Sequence, residues 1–203
     1  MQLAIENNFS GYVLAGGKSS RMGADKAFLQ IEGETFLARS VNLLSEFGKT
    51  KIVLNRFQTT FTVETAFILD EFDGRGALGG IHAALKDCKT EFALILAVDL
   101  PFVTTEAIKN LTNIAIRSKN LNAVVPIQKN GKAQPLCAVY RAKTCLISLE
   151  KLLFENDRAS VMDFLAMISP KLIKADTLSE NDNWLFNVNF PSDFEIIKNE
   201  IIN

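Results

Sequence analysis

The chain has 203 residues, 48% of them hydrophobic, and its 22 basic and 23 acidic side chains give a net charge of −1. That length fits a single α/β domain over residues 1–203 with a sizeable core, and the balanced charge points away from nucleic acid or an acidic membrane surface as partner. No apolar run approaches the roughly 18 residues of a membrane span, residues 1–8 lack a secretory pattern, and Cys88, Cys137 and Cys145 share no Cys-x-x-Cys spacing. The expectation is a cytoplasmic protein with three reduced, packed thiols and neither a disulfide framework nor a zinc site.

Residues 1–10 read as a polar leader. Tyr12, Val13, Leu14 and Ala15 form a short apolar strand without polar alternation, the pattern of a strand covered on both faces. It runs straight into Gly16-Gly17-Lys18-Ser19-Ser20-Arg21-Met22-Gly23-Ala24-Asp25-Lys26. Here Gly16, Gly17 and Gly23 permit close backbone approach and inward-turned N–H groups, and Lys18, Arg21 and Lys26 add positive charge, which together make a phosphate cradle. It is not a Walker A loop, because Ala24-Asp25 follows the later glycine where Lys and Ser or Thr are needed. Nor is it Gly-x-Gly-x-x-Gly. An ordinary surface loop is the plain alternative, and the coincidence of three glycines, three cations and an apolar strand weighs against it.

Further on, Thr35 caps a helix through Phe47 with Phe36, Leu37, Val41 and Leu44 inward, stopped by Gly48. Residues 51–55 and 66–70 are strands ending in Asn55 and Asp70, joined by a short polar segment with room for a brief helix. A second glycine-rich loop over 74–80 leads into a helix over 81–85. The most apolar strand, 92–98, ends at Asp99 with Pro101 just beyond. In open parallel sheets ligands sit outside the carboxyl ends of the strands, so loop 16–26, Asn55, Asp70, loop 74–80 and Asp99 should line one crevice. Each alone could be a strand-end turn residue.

The second half carries a helix from a Thr104 or Thr105 cap to about Arg117, a strand over 123–127, an Asn130-Gly131 turn and a return strand over 134–140. Helices over 143–154 and 160–168 and an extended 171–176 follow. Ser192-Asp193-Phe194-Glu195 has the capping-box spacing of a final helix. His82 has no acid or nucleophile patterned beside it and reads as packing. Trp184 and the phenylalanines read as core, and the acidic 70–73 cluster as a solvated turn.

Residues 14–26 resemble the signature loop of nucleotidyltransferases, most closely that of the molybdenum cofactor guanylyltransferases. Asp70, Gly76-Ala77-Leu78-Gly79-Gly80, Val98-Asp99-Leu100-Pro101-Phe102 and Asn187-Val188-Asn189-Phe190-Pro191 resemble later blocks of the same family in the same order. The resemblance implies a Rossmann-like three-layer α/β/α fold of the nucleotide-diphospho-sugar transferase type with a mostly parallel mixed sheet. It implies GTP and molybdopterin, with or without molybdenum, as substrates, Mg²⁺ as cofactor, and proteins that deliver or receive the molybdenum cofactor as further partners. It further implies Leu14, Ala15, Gly16 and Gly17 at base, ribose and phosphates, Asn55 and Asp70 on the guanine side, and Gly79 and Gly80 bordering the nucleotide. Lys26 and Arg21 would meet the charge that develops on transfer, and Asp99 would bind the metal. Such transfer needs positioned cations and no protein nucleophile, and Mg²⁺ takes one or two carboxylates plus phosphate oxygens. Gln134, Arg141, Asn187 and Asn189 have the polar types for a pterin and its phosphate, or for turns and caps. The alternatives are a cytidylyltransferase acting on molybdopterin, a sugar-phosphate nucleotidyltransferase, and a non-catalytic GTP sensor.

Overall fold

The computed structural model describes residues 8–16, 26–55, 65–72, 74–181, 183–190 and 192–193. In chain order the described elements begin with β1 (Phe9–Leu14), a single 3₁₀ turn at Lys26–Phe28, the small hairpin of β2 (Gln30–Ile31) and β3 (Glu34–Thr35), and α1 (Phe36–Ser45). They continue with β4 (Lys49–Leu54), β5 (Phe67–Leu69), α2 (Ala77–Asp87), β6 (Phe92–Ala97) and α3 (Thr105–Arg117). Then come β7 (Ala123–Ile127), β8 (Cys137–Arg141), α4 (Ala142–Glu155), α5 (Val161–Ile168) and β9 (Lys171–Lys174).

Seven strands form one sheet in the order β5-β4-β1-β6-β8-β7-β9. The pairs β4–β5, β1–β4, β1–β6 and β7–β9 are parallel, and β8 runs antiparallel to both of its neighbours. The sheet is therefore mixed and mostly parallel. Both faces are covered. Phe36, Leu37, Val41 and Leu44 of α1 join Ile108 and Leu111 of α3 against Val13, Leu94 and Leu96. On the other face Leu78, Ile81 and Leu85 of α2 join Leu149 of α4 and Phe164 of α5 against Tyr12, Ile95 and Val125. This explains the uninterrupted apolar run of β6, whose six residues are all buried. Alternate side chains enter opposite cores, so neither face tolerates a polar residue.

Local chemistry sets the helix starts. Thr35 and Thr104 accept hydrogen bonds from the N–H groups of Ala38 and Ala107, each at 3.1 Å. Ser160 and Asp163 complete a reciprocal capping box at the start of α5. Gly131, at φ +81°, turns the β7–β8 connection, its N–H donating to Gln128 O at 2.9 Å.

Several sequence expectations shift. The first strand starts at Phe9, because Phe9 is buried and stacks on Phe92 with ring centroids 5.2 Å apart. α1 ends at Ser45 on a right-handed Glu46, with no positive φ at Gly48, so that glycine is not its cap. The loop expected over 74–80 is shorter. Gly74 and Gly76 take positive φ, and α2 begins at Ala77, so Gly79 and Gly80 lie in its first turn. The return strand starts at Cys137, three residues late, after an isolated bridge between Ile127 and Ala133. Not every phenylalanine is core, since Phe67 and Phe154 are 61% and 93% exposed. The polar segment after Asn55 lies outside the described residues over 56–64. Before the final helix the Asp193 carboxylate accepts from the N–H groups of Asn189 and Phe190, and Glu195, which a capping box at Ser192 requires, lies outside the described residues.

Candidate active site

β5, β4, β1 and β6 are adjacent and parallel, so their carboxyl ends share one edge in the order Asp70, Asn55, Gly16, Asp99. From β1 the chain turns toward β4. From β6 it continues toward the β8–β7 side. The two connections diverge, so the topological switch point falls between the ends of β1 and β6, where a doubly wound sheet takes its ligands.

Lys26 and Asp99 face each other at that switch point. Lys26 Nζ lies 3.7 Å from Asp99 Oδ2 and donates to Asn189 Oδ1 at 2.9 Å. Their side chains are 16% and 22% exposed, so the pair is shielded from bulk screening yet open to a ligand. The two Asp99 oxygens differ. Oδ2 turns to Lys26, while Oδ1 is buried and has no hydrogen-bond partner among the described residues. Burial raises the Asp99 pKa, and the Lys26 charge and the Asn187 amide pull against it. A buried carboxylate oxygen without a donor is costly, and it fits a hard cation, which takes oxygen ligands and keeps other positions for water and phosphate. No group of three or more Asp, Glu, His or Cys side chains suited to a metal occurs among the described residues. Asp99 thus fits Mg²⁺ as a carboxylate that would leave other positions of the ion to water and substrate.

The C-terminal segment completes this side. Val188 N–H donates to Asp99 O at 2.9 Å, and Gln134 Nε2 donates to Asn187 Oδ1 at 2.8 Å. Asn187 and Asn189 therefore serve the Asp99–Lys26 pair, a grouping that residue type alone does not reveal. Arg141 does not join them. It lies at the opposite end of β6, paired in register with Phe92, with its guanidinium 4.7 Å over that ring. It donates there to the carbonyls of Ser118, Lys119 and Leu121 and pairs with Glu91. It is a structural clamp, not a ligand group.

On the β4–β5 side, Gly16 approaches so closely that an added Cβ would sit 3.0 Å from Asn55 N. The side chain of Leu14 is buried beneath α2, with its carbonyl accepting from Val98 N–H at 3.1 Å. Ala15 N–H donates to Val53 O at 3.1 Å. Asp70 Oδ1 accepts from Phe72 N–H at 2.8 Å, and the carboxylate rests on the Cα of Gly79, where a Cβ would come within 2.3 Å of Oδ2. That places negative charge at the positive end of α2. Gly80 instead faces Leu14, with ordinary room of 3.4 Å. Gly17 and Arg21 lie outside the described residues.

Two hollows open among the described residues. One of about 270 Å³ opens at the carboxyl ends of β7 and β9, lined by Gln128, Asn130, Asp176, Asn183, Trp184 and Phe186 among others. The other, of about 510 Å³, collects Glu32, Glu34 and Glu46 around Arg39, a charge balance unsuited to phosphate. His82 is buried against Phe72, with ring centroids 4.7 Å apart and Nε2 3.6 Å from Glu150. Among the described residues no hydrogen bond joins it to a serine, threonine or cysteine. Burial pushes up the Cys137 and Cys145 thiols, the latter to about 12, so both are packed and unreactive.

A parallel-strand edge with a close-packed glycine, a lysine and a cation-fitting aspartate fits a nucleotide-handling α/β enzyme. Residues 11–170 match the MobA-like NTP transferase domain. The chain is 30% identical over 191 residues to a Methanocaldococcus jannaschii protein named probable molybdenum cofactor guanylyltransferase, covering 89% of this chain and 93% of that one. Among solved structures, molybdopterin-guanine dinucleotide biosynthesis protein A from Archaeoglobus fulgidus superposes with a TM-score of 0.79 at 25% identity, covering 95% and 97% of the two chains. The 2-C-methyl-D-erythritol 4-phosphate cytidylyltransferase of Thermus thermophilus shares the fold alone, with a TM-score of 0.69 at 14% identity over 95% and 98% of the chains. The chain belongs to the MobA-like NTP transferase family and is a nucleotidyltransferase.

Proposed function

We propose that this enzyme transfers GMP from GTP to the terminal phosphate of molybdopterin, free or molybdenum-bound, and releases pyrophosphate. An oxygen of the molybdopterin phosphate forms a bond to the α-phosphorus of GTP. The bond from that phosphorus to the β-phosphate oxygen breaks, and its electron pair leaves with pyrophosphate. The observation that carries this reading is the Lys26–Asp99 pair with the orphaned Asp99 Oδ1 at the carboxyl end of β6, in a chain whose relatives bear the guanylyltransferase name.

Asp99 is the residue that would hold Mg²⁺, and the ion would neutralise the triphosphate and the departing pyrophosphate. Lys26, fixed by Asn189 in advance of reaction, supplies a preorganised positive charge where negative charge grows on transfer. Gly16 brings backbone to the phosphates, and Gly17 and Arg21 extend that cradle as the family resemblance implies. Leu14 and Ala15 contribute backbone at the base and ribose. Asn55 and Asp70 lie in one row beside Gly16 and suit the donor edge of guanine. Gly79 lets Asp70 hold its place, and Gly80 keeps Leu14 close to α2. The hollow lined by Gln128 and Trp184 supports an acceptor that enters from the β7–β9 side of Asp99. As for setting, no helix among the described residues is long and apolar enough to cross a membrane, and a cytoplasmic site of action belongs to the same proposal.

Pyrophosphate release measured with each of the four nucleoside triphosphates, with and without molybdopterin, tests the reading. Release with GTP that depends on acceptor and Mg²⁺ is expected. Equal or better release with CTP would favour a cytidylyltransferase, and none under any combination would favour a GTP sensor.

A further inference from the structure

We infer that Gln134 is a positioning residue for the metal-binding carboxylate, acting on Asp99 through the side-chain amide of Asn187. The inference rests on the reading of Asp99 as the cation ligand, and it gives Gln134 a different role from that of a pterin contact.

Gln134 is buried in the connection between β7 and β8, at 7% exposure. Its backbone is clamped on both sides. Its N–H donates to Pro126 O at 2.8 Å, and its carbonyl accepts from Cys137 N–H at 3.2 Å. The side-chain amide therefore projects from a backbone held by two hydrogen bonds, and its Nε2 donates to Asn187 Oδ1 at 2.8 Å. Asn187 is held against Asp99 by the next residue, whose N–H donates to the Asp99 carbonyl at 2.9 Å.

A carboxamide has one accepting end and one donating end. With Asn187 Oδ1 engaged by Gln134, the NH₂ end is the one left for the Asp99 carboxylate. The opposite orientation would set the Asn187 oxygen against a carboxylate oxygen, which is repulsive. The polarity of the chain Gln134, Asn187, Asp99 is thus set at the buried end and propagated outward. It leaves Oδ2 turned to Lys26 and Oδ1 without a donor. Groups that orient a metal ligand in this way typically carry 10–100-fold in metal affinity or activity.

The test is Mn²⁺ binding to the full chain in the presence of GTP, followed by electron paramagnetic resonance, which reads the site without turnover. Gln134→Met keeps length and volume and removes the donor, and it should weaken Mn²⁺ roughly tenfold. Added to Asn187→Leu it should weaken binding no further, because the path to Asp99 is already cut. A purely structural Gln134 would lower the melting temperature and leave the Mn²⁺ affinity of the folded protein unchanged, which would overturn the inference. Full additivity with Asn187→Leu would also overturn it. If Gln134→Met does not fold, Gln134→Asn, which retracts the amide by one methylene, is read in the same way. Asp99→Asn serves as the reference. Unchanged Mn²⁺ affinity in Asp99→Asn would refute the metal reading itself, whereas loss there with wild-type affinity in the Gln134 variants would refute only the positioning role.

Discussion

Gly79→Ala should destabilise the enzyme when Asp70 is present and stabilise it when Asp70 is absent. Gly79 is helical, in the first turn of α2, so an alanine there would ordinarily gain about 0.5–1 kcal/mol over glycine. The added methyl, however, would come within 2.3 Å and 2.5 Å of the Asp70 oxygens and 2.7 Å of Cγ. No side chain accommodates that contact, so the carboxylate has to leave. Its departure breaks the bond from Phe72 N–H at 2.8 Å, worth about 1 kcal/mol, and takes the charge off the start of α2, worth about 0.3–1 kcal/mol. Against the helix gain the net loss is about 1 kcal/mol. In an Asp70→Ala background the obstacle is gone and only the helix preference remains, so the sign reverses. Urea unfolding of wild type, both single variants and the double variant at pH 7 yields the coupling, expected at roughly 1–2 kcal/mol. Equal effects of Gly79→Ala in both backgrounds would refute the contact. In the proposed guanine site the single variant should also raise KM for GTP, because Asp70 is displaced.

Lys26→Ala should lower kcat about 10²–10³-fold with a smaller change in KM for GTP, and steady-state kinetics showing a raised KM alone would demote Lys26 to uniform binding. Asp99→Asn probes electrostatics without metal. Burial raises the folded pKa of Asp99 above the ordinary 3.8 despite Lys26 and Asn187, so the protonated carboxyl is the comfortable form, and stability present below 3.8 is lost as pH rises through the raised value. Denaturant unfolding in EDTA should show Asp99→Asn gaining on wild type as pH climbs from about 4 toward 7, and a difference independent of pH would contradict this. Tyr12→Phe removes the hydrogen bond from Tyr12 Oη to Asp87 Oδ2 at 2.8 Å and should cost about 1–2 kcal/mol at pH 7. Although burial alone would raise the Asp87 pKa, hydrogen bonds from Lys51 and Tyr12 hold it below the usual value. The cost of Tyr12→Phe should therefore shrink below about pH 4 as Asp87 protonates, and a pH-independent cost in urea unfolding would argue against the charge.

Features written in local chemistry could be read from the chain. The apolar run of β6, the threonine caps of α1 and α3 and the Ser160 start of α5 each depend on neighbours a few residues away. The strand ends Asn55, Asp70 and Asp99 followed from the rule that parallel strands deliver their carboxyl ends to one edge. What escaped depends on distant partners. Gly79 and Gly80 looked like loop glycines, yet both lie in the first turn of α2, where the Asp70 carboxylate leaves no room for a side chain at position 79. Phe9 belongs to β1 because it meets Phe92. Asn189 reaches Lys26 across 163 residues, and Asn187 and Asn189 as residue types suited a pterin or a turn equally well. Arg141 also looked like a ligand group, and only the register of β8 against β6 reveals that it clamps the far end of the sheet.

The most direct test of the account follows the α-phosphate itself. GTP labelled in the α-phosphate, incubated with the enzyme, Mg²⁺ and molybdopterin, should transfer its label to a molybdopterin product in amounts equal to the pyrophosphate released, and Asp99→Asn should abolish both. Label that stays with GTP or appears as free GMP, or transfer that proceeds undiminished in Asp99→Asn, would contradict it.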